Sequence, residues 1–223
     1  KAGLLDDVDL SSLKEVIIAG SVCPPEVAAD LERRMPNGRS GQLFGMTETI
    51  LIMQTPLNES PEIRHSSTGR KTEGIDIRIV NPLDDTEVAV NEEGELLLRG
   101  YAIMAGYLNN EAANKIAYTT DGFFRSGDLA TCDANGNVII TGRVKDVINR
   151  GGIKINPTDI ENILQAHPSI VLAALVPMHD DVLGERICVF ITLAPNASFT
   201  FDEMTKYLEE NGIAKMRWPE RLE

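Results

Sequence analysis

Four short, polar, glycine-containing segments hold most of the residues in this sequence whose types are suited to binding or transforming a small molecule. They are Gly41-Gln-Leu-Phe-Gly-Met-Thr-Glu48, Ser67-Thr-Gly-Arg70, Asp121-Gly-Phe-Phe-Arg-Ser-Gly-Asp128, and Thr141-Gly-Arg-Val-Lys-Asp146 with Arg150-Gly-Gly152. Their residue types suit a nucleotide. An aromatic ring such as Phe44 stacks on a base, a hydroxyl such as Thr47 donates to a phosphate oxygen, and a neighbouring carboxylate such as Glu48 holds Mg²⁺ through its waters. A carboxylate following a tight glycine turn, as in Ser126-Gly-Asp128, accepts from both hydroxyls of a ribose, and Arg143 offers a planar fork to phosphate or ribose oxygens. Each residue also has a plainer reading: Phe44 and Phe124 as core, Glu48 and Asp128 as turn or cap residues, Arg143 and Lys145 as surface ion-pair partners.

The elements that must position these segments are legible in outline. A β-branched run at Glu15–Ala19 reads as a strand ending at Gly20-Ser21. A helix follows, opened by Pro24-Pro25 with Val27, Ala28, Leu31 and Met35 on one face, and stopped at Pro36-Asn37-Gly38. Gly41–Thr47 then reads as a second strand with its loop, so the first fifty residues suggest α/β layering with a parallel pair. From about Ser66 to Arg143 the texture is β-rich and barrel-like. Ile75, Ile77 and Ile79 alternate with polar residues, Glu95–Arg99 and Val138–Thr141 are short strands, and Asn110–Tyr118 is a single helix. Beyond Arg143 the pattern becomes a small α+β module. It comprises a hairpin (Val147–Asn149, Ile153–Ile155), a helix opened by Asn156-Pro157, strands at Ile170–Val176 and Arg186–Leu193, and a helix opened by the capping box Thr200-x-x-Glu203. The expected domains are residues 1–143 and 144–223.

Composition narrows the partners. With 34 acidic against 21 basic residues the formal net charge is −13, which lacks the basic footprint of a protein that grips nucleic acid or an anionic membrane. The longest apolar runs, Ile170–Val176 and Ile187–Ala194, fall far short of the roughly 20 residues of a membrane-spanning helix. Cys23, Cys132 and Cys188 form neither a metal-ligand spacing nor a disulfide set, as expected of a reducing, cytoplasmic setting. His65, His167 and His179 share no spacing that points to a metal or a triad. Asp133-Ala-Asn-Gly-Asn137 opens like a calcium loop, but Val138 and Val144 stand where that loop needs Gly and Glu, so it reads as a hairpin turn with Asn135-Gly136 at its tip.

Taken together and in this order, the segments resemble the adenylate-forming superfamily of acyl- and aryl-CoA synthetases, aryl-acid adenylating enzymes, adenylation domains and luciferases. The resemblance rests on Phe44-Gly-Met-Thr-Glu48, Ser67-Thr-Gly-Arg70, Gly94-Glu95 with Arg99-Gly100 and Gly106-Tyr107, Asp121–Asp128, and Gly142–Asp146. It implies the end of a large ATP- and AMP-binding domain followed by a small mobile C-terminal domain, in an ATP-dependent, magnesium-using ligase. Such an enzyme joins a small carboxylic acid to CoA through an acyl-adenylate. By the same resemblance Thr47, Glu48 and Arg143 are catalytic and Glu48 is the metal ligand. Gly20, Gln42, Phe44, Gly45 and Asp128 bind nucleotide, Lys145 is the hinge, and Gly151, Gly152 and Lys154 face the thiol entrance. Since ATP and CoA are anionic, Arg143, Lys145, Arg150 and Lys154 count for more than the net charge. The family's phosphate loop and its catalytic Gly-Lys have no counterpart between Lys1 and Glu223. The expectation is therefore a C-terminal portion of such a ligase with little activity of its own. Loading of a carrier protein, and a non-catalytic nucleotide-binding module, are the alternatives.

Overall fold

A computed structural model of the chain describes residues 7–223. They fall into two compact units, one ending at Val144 and the other running Lys145–Glu223.

The first unit contains β1 (Glu15–Ile18), α1 (Pro25–Arg33), β2 (Arg39–Met46), β3 (Ile50–Gln54), α2 (Pro61–Ser66), β4 (Arg70–Lys71), β5 (Ile75–Val80), β6 (Gly94–Gly100), α3 (Glu111–Ala117), β7 (Phe124–Cys132) and β8 (Val138–Arg143). One sheet runs β1-β2-β3-β4, with β1 and β2 parallel and the other pairs antiparallel. The parallel pair is the one expected, because a helix carries the chain from β1 back to the start of β2. The helix itself differs from expectation in one respect. Ala28 is fully buried while Val27 is 55% exposed, since consecutive residues lie about 100° apart and only one can face the sheet.

The second sheet is the antiparallel meander β5-β6-β7-β8. The barrel-like section is thus an open sheet whose edge strand β8 is met by Gly69, opposite Val138. The Val138 carbonyl accepts from the Thr68 amide (2.9 Å), the Thr68 hydroxyl (3.0 Å) and the Ser67 hydroxyl (2.8 Å), and the Val138 amide donates to Gly69 O (2.9 Å). Ser67-Thr-Gly, one of the four candidate segments, forms the latch that joins the two sheets. Behind it Ile52 and Met53 of β3 pack with Ile75, Leu96, Leu98, Phe124, Ala130 and Val138 in one apolar cluster.

A second polar feature braces the first sheet. Glu32 of α1 accepts from the Ser40 amide (2.8 Å) and hydroxyl (3.1 Å), lies 3.2 Å from His65 Nε2, and pairs with Arg64 of α2, which is only 4% exposed. Arg64 also donates to Ser40 O (3.1 Å) and Glu59 O (2.6 Å), so this buried guanidinium is held by several acceptors.

The second unit contains β9 (Ile148–Arg150), β10 (Ile153–Ile155), α4 (Pro157–Ala166), β11 (Ile170–Asp180), β12 (Gly184–Leu193), α5 (Phe201–Glu210) and β13 (Arg221–Leu222). The expected order of two strands, helix, two strands, helix is present. The sheet runs β10-β9-β12-β11, and the short β13, which the pattern does not announce, joins β12 in parallel. Asn156 caps α4 by accepting from the Thr158 amide (3.2 Å). The capping box of α5 closes in both directions, with Glu203 N donating to Thr200 Oγ1 (3.3 Å) and Thr200 N donating to Glu203 Oε2 (2.7 Å). Ile160 and Leu164 of α4 and Met204 and Leu208 of α5 are fully buried with Ile148, Ile155, Ile170, Ile187 and Val189, whereas Phe201 is 41% exposed. Among the described residues no helix is long and apolar enough to cross a membrane.

Candidate functional site

In the parallel pair Ile18 lies opposite Gln42, so the carboxyl ends of β1 and β2 share one edge of the sheet, the edge where α/β proteins bind ligands. Gly20 follows β1 with φ +93°, exposed and with open space where a Cβ would stand. Gln42 is 5% exposed, and its side-chain amide donates to His65 O at 2.5 Å. Phe44 is half-buried against the apolar cluster, so the core reading of this ring is realised in part. Gly45 has a steric reason to be glycine. The β2–β3 register shifts between Phe44 and Gly45, and a Cβ at Gly45 would lie 2.0 Å from Ile50 O.

Thr47, Glu48 and Thr49 form the turn from β2 to β3. Thr47 is exposed and Glu48 half-exposed, while Thr49 is fully buried, with its amide donating to Met46 O (3.1 Å) and its hydroxyl accepting from the Met46 amide (3.3 Å). Ile50 then takes φ +54°, a left-handed backbone that β-branched residues seldom adopt. Strain of this kind persists where the surroundings over-determine it and clusters at functional sites.

The surroundings are a loop that sequence reading did not connect with this turn. Met104 N donates to Glu48 O at 2.8 Å, and the Tyr107 hydroxyl donates to Glu48 Oε1 at 2.9 Å. Asn114 of α3 holds the Tyr107 peptide from both sides, accepting from its N–H (2.6 Å) and donating to its C=O (2.9 Å). The Tyr118 hydroxyl donates to Met104 O at 2.5 Å. The hydrogen bond to Glu48 pushes the Tyr107 phenol above the ordinary tyrosine range, so it stays a donor at neutral pH. Gly106-Tyr107 was visible as a motif, but nothing local showed where the ring reaches.

Asp128 and Arg143 are brought together. They face each other across β7 and β8, with Arg143 Nε 3.0 Å from Asp128 Oδ1. Sequence suggested a loop around Ser126-Gly-Asp128, and the structure places the triplet inside β7. Between Leu97↔Arg125 and Glu95↔Leu129 the strand β6 advances two residues while β7 advances four, so the triplet bulges from the ladder. Bulges re-aim side chains beside active sites. Gly127 supplies the positive φ of +71°. Ser126 braces the bulge, its hydroxyl donating to Leu96 O (2.8 Å) and accepting from the Asp128 amide (3.0 Å). The strand that bears the Asp128 bulge buries Phe124 and Ala130 in the cluster against which Phe44 and Met46, on the strand that leads into the Glu48 turn, are packed.

The remaining expected residues belong to the second unit or its entry. Lys145 is exposed in the 3-10 turn Val144–Asp146. Gly151 and Gly152, at φ +58° and +89°, close the β9–β10 hairpin. Gly151 N donates to Leu183 O (2.8 Å) and Gly152 N to Asn149 Oδ1 (3.1 Å). Lys154 is exposed on β10 opposite Asn149. Arg150 is paired with Glu220 at 2.7 Å.

His65 belongs to the Glu32 network, His167 packs between the Phe199 and Tyr207 rings, and His179 is exposed. Burial pushes all three free thiols up in pKa. Among the described residues no group of three or more His, Cys, Asp or Glu side chains is placed to hold a metal. A single accessible carboxylate nevertheless suits Mg²⁺, which takes one or two protein carboxylates and completes its shell with water and substrate phosphates. Glu48 fits that demand.

Residues 2–108 match the family model described as AMP-binding enzyme, and residues 159–220 match the AMP-binding enzyme C-terminal domain. The chain is 39% identical over 215 residues to a 2-hydroxy-7-methoxy-5-methyl-1-naphthoate–CoA ligase of Streptomyces carzinostaticus, covering 96% of this chain and 38% of that protein. It is also 39% identical over 218 residues to a salicyl-AMP ligase / salicyl-S-ArCP synthetase of Mycobacterium tuberculosis, covering 97% and 38%. Its fold resembles that of o-succinylbenzoate CoA synthetase of Bacillus subtilis in complex with an acyl-adenylate intermediate, with a TM-score of 0.83 and 26% identity over 99% of this chain and 44% of that one. The chain thus spans about two fifths of the length of the relatives it matches.

Proposed function

The chain belongs to the adenylate-forming, AMP-binding enzyme family, and on that premise we propose that it contributes the ribose and metal contacts of an ATP-dependent acid–thiol ligase. A carboxylate oxygen attacks the α-phosphorus of ATP and expels pyrophosphate. A thiol, that of CoA in this reading, then attacks the acyl carbon and expels AMP as the thioester forms. The first step is needed because a carboxylate oxygen is a poor leaving group until it becomes part of AMP.

Each residue has a defined task in this reading. Asp128 accepts from the ribose hydroxyls, and Arg143, already beside it, donates to ribose or phosphate oxygens. Thr47 donates to the α-phosphate, and Glu48 would hold Mg²⁺, which would supply neutralisation of phosphate charge. Phe44 packs against the adenine, and Gly20, Gln42 and Gly45 line its pocket. Lys145 is the pivot on which the second unit changes position between the two steps. Gly151, Gly152 and Lys154 then face the incoming thiol. Three unpaired thiols accord with a cytoplasmic enzyme.

The observation that carries the reading is the Asp128–Arg143 pair on a glycine-centred bulge, an acceptor and a planar donor fixed 3.0 Å apart. Asp128→Ala is expected to weaken AMP binding about 10- to 100-fold, the loss of charge-assisted hydrogen bonds worth about 1.5–3 kcal/mol. Calorimetric titration with AMP measures it, and unchanged affinity removes Asp128 from the site. A second acceptor deserves equal weight in assays, because a CoA ligase and a carrier-protein-loading ligase match at the same 39% identity. Comparing CoA with a phosphopantetheinylated carrier protein as acyl acceptor of the full-length protein decides between them.

A further inference from the structure

The loop after β6 touches the Glu48 turn twice, once through backbone and once through a side chain. We infer that Tyr107 is a positioning residue for the Glu48 carboxylate, with Asn114 as its support. This inference rests on the reading of Glu48 as the Mg²⁺ ligand.

A glutamate on a partly exposed turn has three rotatable bonds and samples several rotamers, and a metal that binds it must select one of them. Here the choice is already made. The Tyr107 hydroxyl fixes Oε1 at 2.9 Å, and Met104 N fixes the Glu48 carbonyl at 2.8 Å. One carboxylate oxygen thus carries a hydrogen bond while Oε2 remains to take the cation, the single-oxygen coordination that Mg²⁺ favours alongside phosphate oxygens and water. Tyr107 would itself be a poor anchor, being 38% exposed. Asn114 corrects this by gripping both polar atoms of the Tyr107 peptide. Asn110 in turn caps α3, its side chain accepting from Ala113 N at 3.1 Å, and so fixes the helix that carries Asn114. The tyrosine, in the loop before α3, is therefore tethered to that helix and reaches across to a turn 59 residues earlier in the chain. Partners of metal ligands that act in this way set affinity without touching the metal.

The test is Mn²⁺ binding to the full-length protein in the presence of α,β-methylene-ATP, followed by electron paramagnetic resonance. Tyr107→Phe, Asn114→Ala and Glu48→Gln are compared, with metal-free AMP affinity and thermal midpoint measured beside each. Tyr107→Phe keeps the ring and removes only the hydroxyl. It is expected to weaken Mn²⁺ binding about 10-fold, to leave metal-free AMP affinity unchanged, and to leave the midpoint nearly where it was. Asn114→Ala is expected to give an intermediate loss, and Glu48→Gln the largest. Should Glu48→Gln lose the metal while Tyr107→Phe binds it as well as the unsubstituted protein, the positioning role is wrong and the reading of Glu48 stands. Should neither change Mn²⁺ affinity, Glu48 is not the ligand and both readings fall. An equal loss of metal-free AMP affinity in Tyr107→Phe would make the hydroxyl a general support of the pocket and overturn the specific claim.

Discussion

Gly69→Ala is expected to destabilise the first unit by on the order of 4 kcal/mol, among the largest effects a single methyl group can have. Two causes combine. Gly69 has φ +85°, where any side chain is strained, and an added Cβ would lie 2.0 Å from Gln54 O and 2.3 Å from Thr55 N. Both obstacles are backbone of β3 and its continuation, which cannot swing aside as the tip of a flexible side chain can. Relief requires Gly69 to withdraw, and its carbonyl is the acceptor for Val138 N at the junction of the sheets. Gly136→Ala is the control, with nearly the same φ of +82° and open space around its Cβ position, so only the backbone strain of about 1–2 kcal/mol remains. Urea unfolding followed by circular dichroism measures both. Equal shifts for the two variants would mean that the crowding at Gly69 does not matter.

Glu32→Gln is expected to cost about 3–5 kcal/mol, because it leaves the buried Arg64 guanidinium without its counter-charge. The same carboxylate makes a prediction in pH. Burial pushes it up, but the Ser40 amide and hydroxyl, His65 and the Arg64 charge together outweigh burial and bring it from an ordinary 4.5 to about 2. A folded-state value below the unfolded one gives stability that is fully present above about pH 4.5 and is lost as pH falls through 2. The difference corresponds to about 3 kcal/mol, with little screening since the side chain is 19% exposed. Unfolding free energy measured from pH 6 to pH 2 should therefore fall more steeply for the unsubstituted chain than for Glu32→Gln, and the two curves should converge in acid. Parallel curves would show that Glu32 is not kept ionised in this way.

The sequence was most legible where a pattern is local. The Asn156 cap, the Thr200–Glu203 box and the alternation at Ile75–Ile79 each depend on residues within a few positions, and each formed where expected. The β7 strand was not legible. A glycine between two polar residues reads as a loop, and only the pairing with β6 shows that Ser126-Gly-Asp128 is a bulge inside a strand. Arg64 was silent for a similar reason, since nothing within its six-residue helix shows that Glu32, from a different helix, is brought against it. The candidate site divides in the same way. Asp128 and Arg143 were identified as residue types in a motif, and their pairing then followed from a register that local pattern does not encode. Tyr107 stood in plain view, yet its partner lies 59 positions away.

The latch at Val138 carries a consequence for folding kinetics. Its side-chain hydrogen bonds, from Ser67 and Thr68, close spans of 71 and 70 residues. Closing a loop of that length costs entropy that must be spent before any contact returns it, whereas the β5–β8 meander forms from neighbours in sequence. The latch is therefore expected to form after the rate-limiting barrier. Ser67→Ala should quicken unfolding in proportion to the stability it removes and leave the folding rate nearly unchanged, as read from the two limbs of a stopped-flow chevron. Slowed folding would place the latch in the nucleus instead. Formed late, these few hydrogen bonds govern how long the joined sheets persist and have little say in how quickly they assemble.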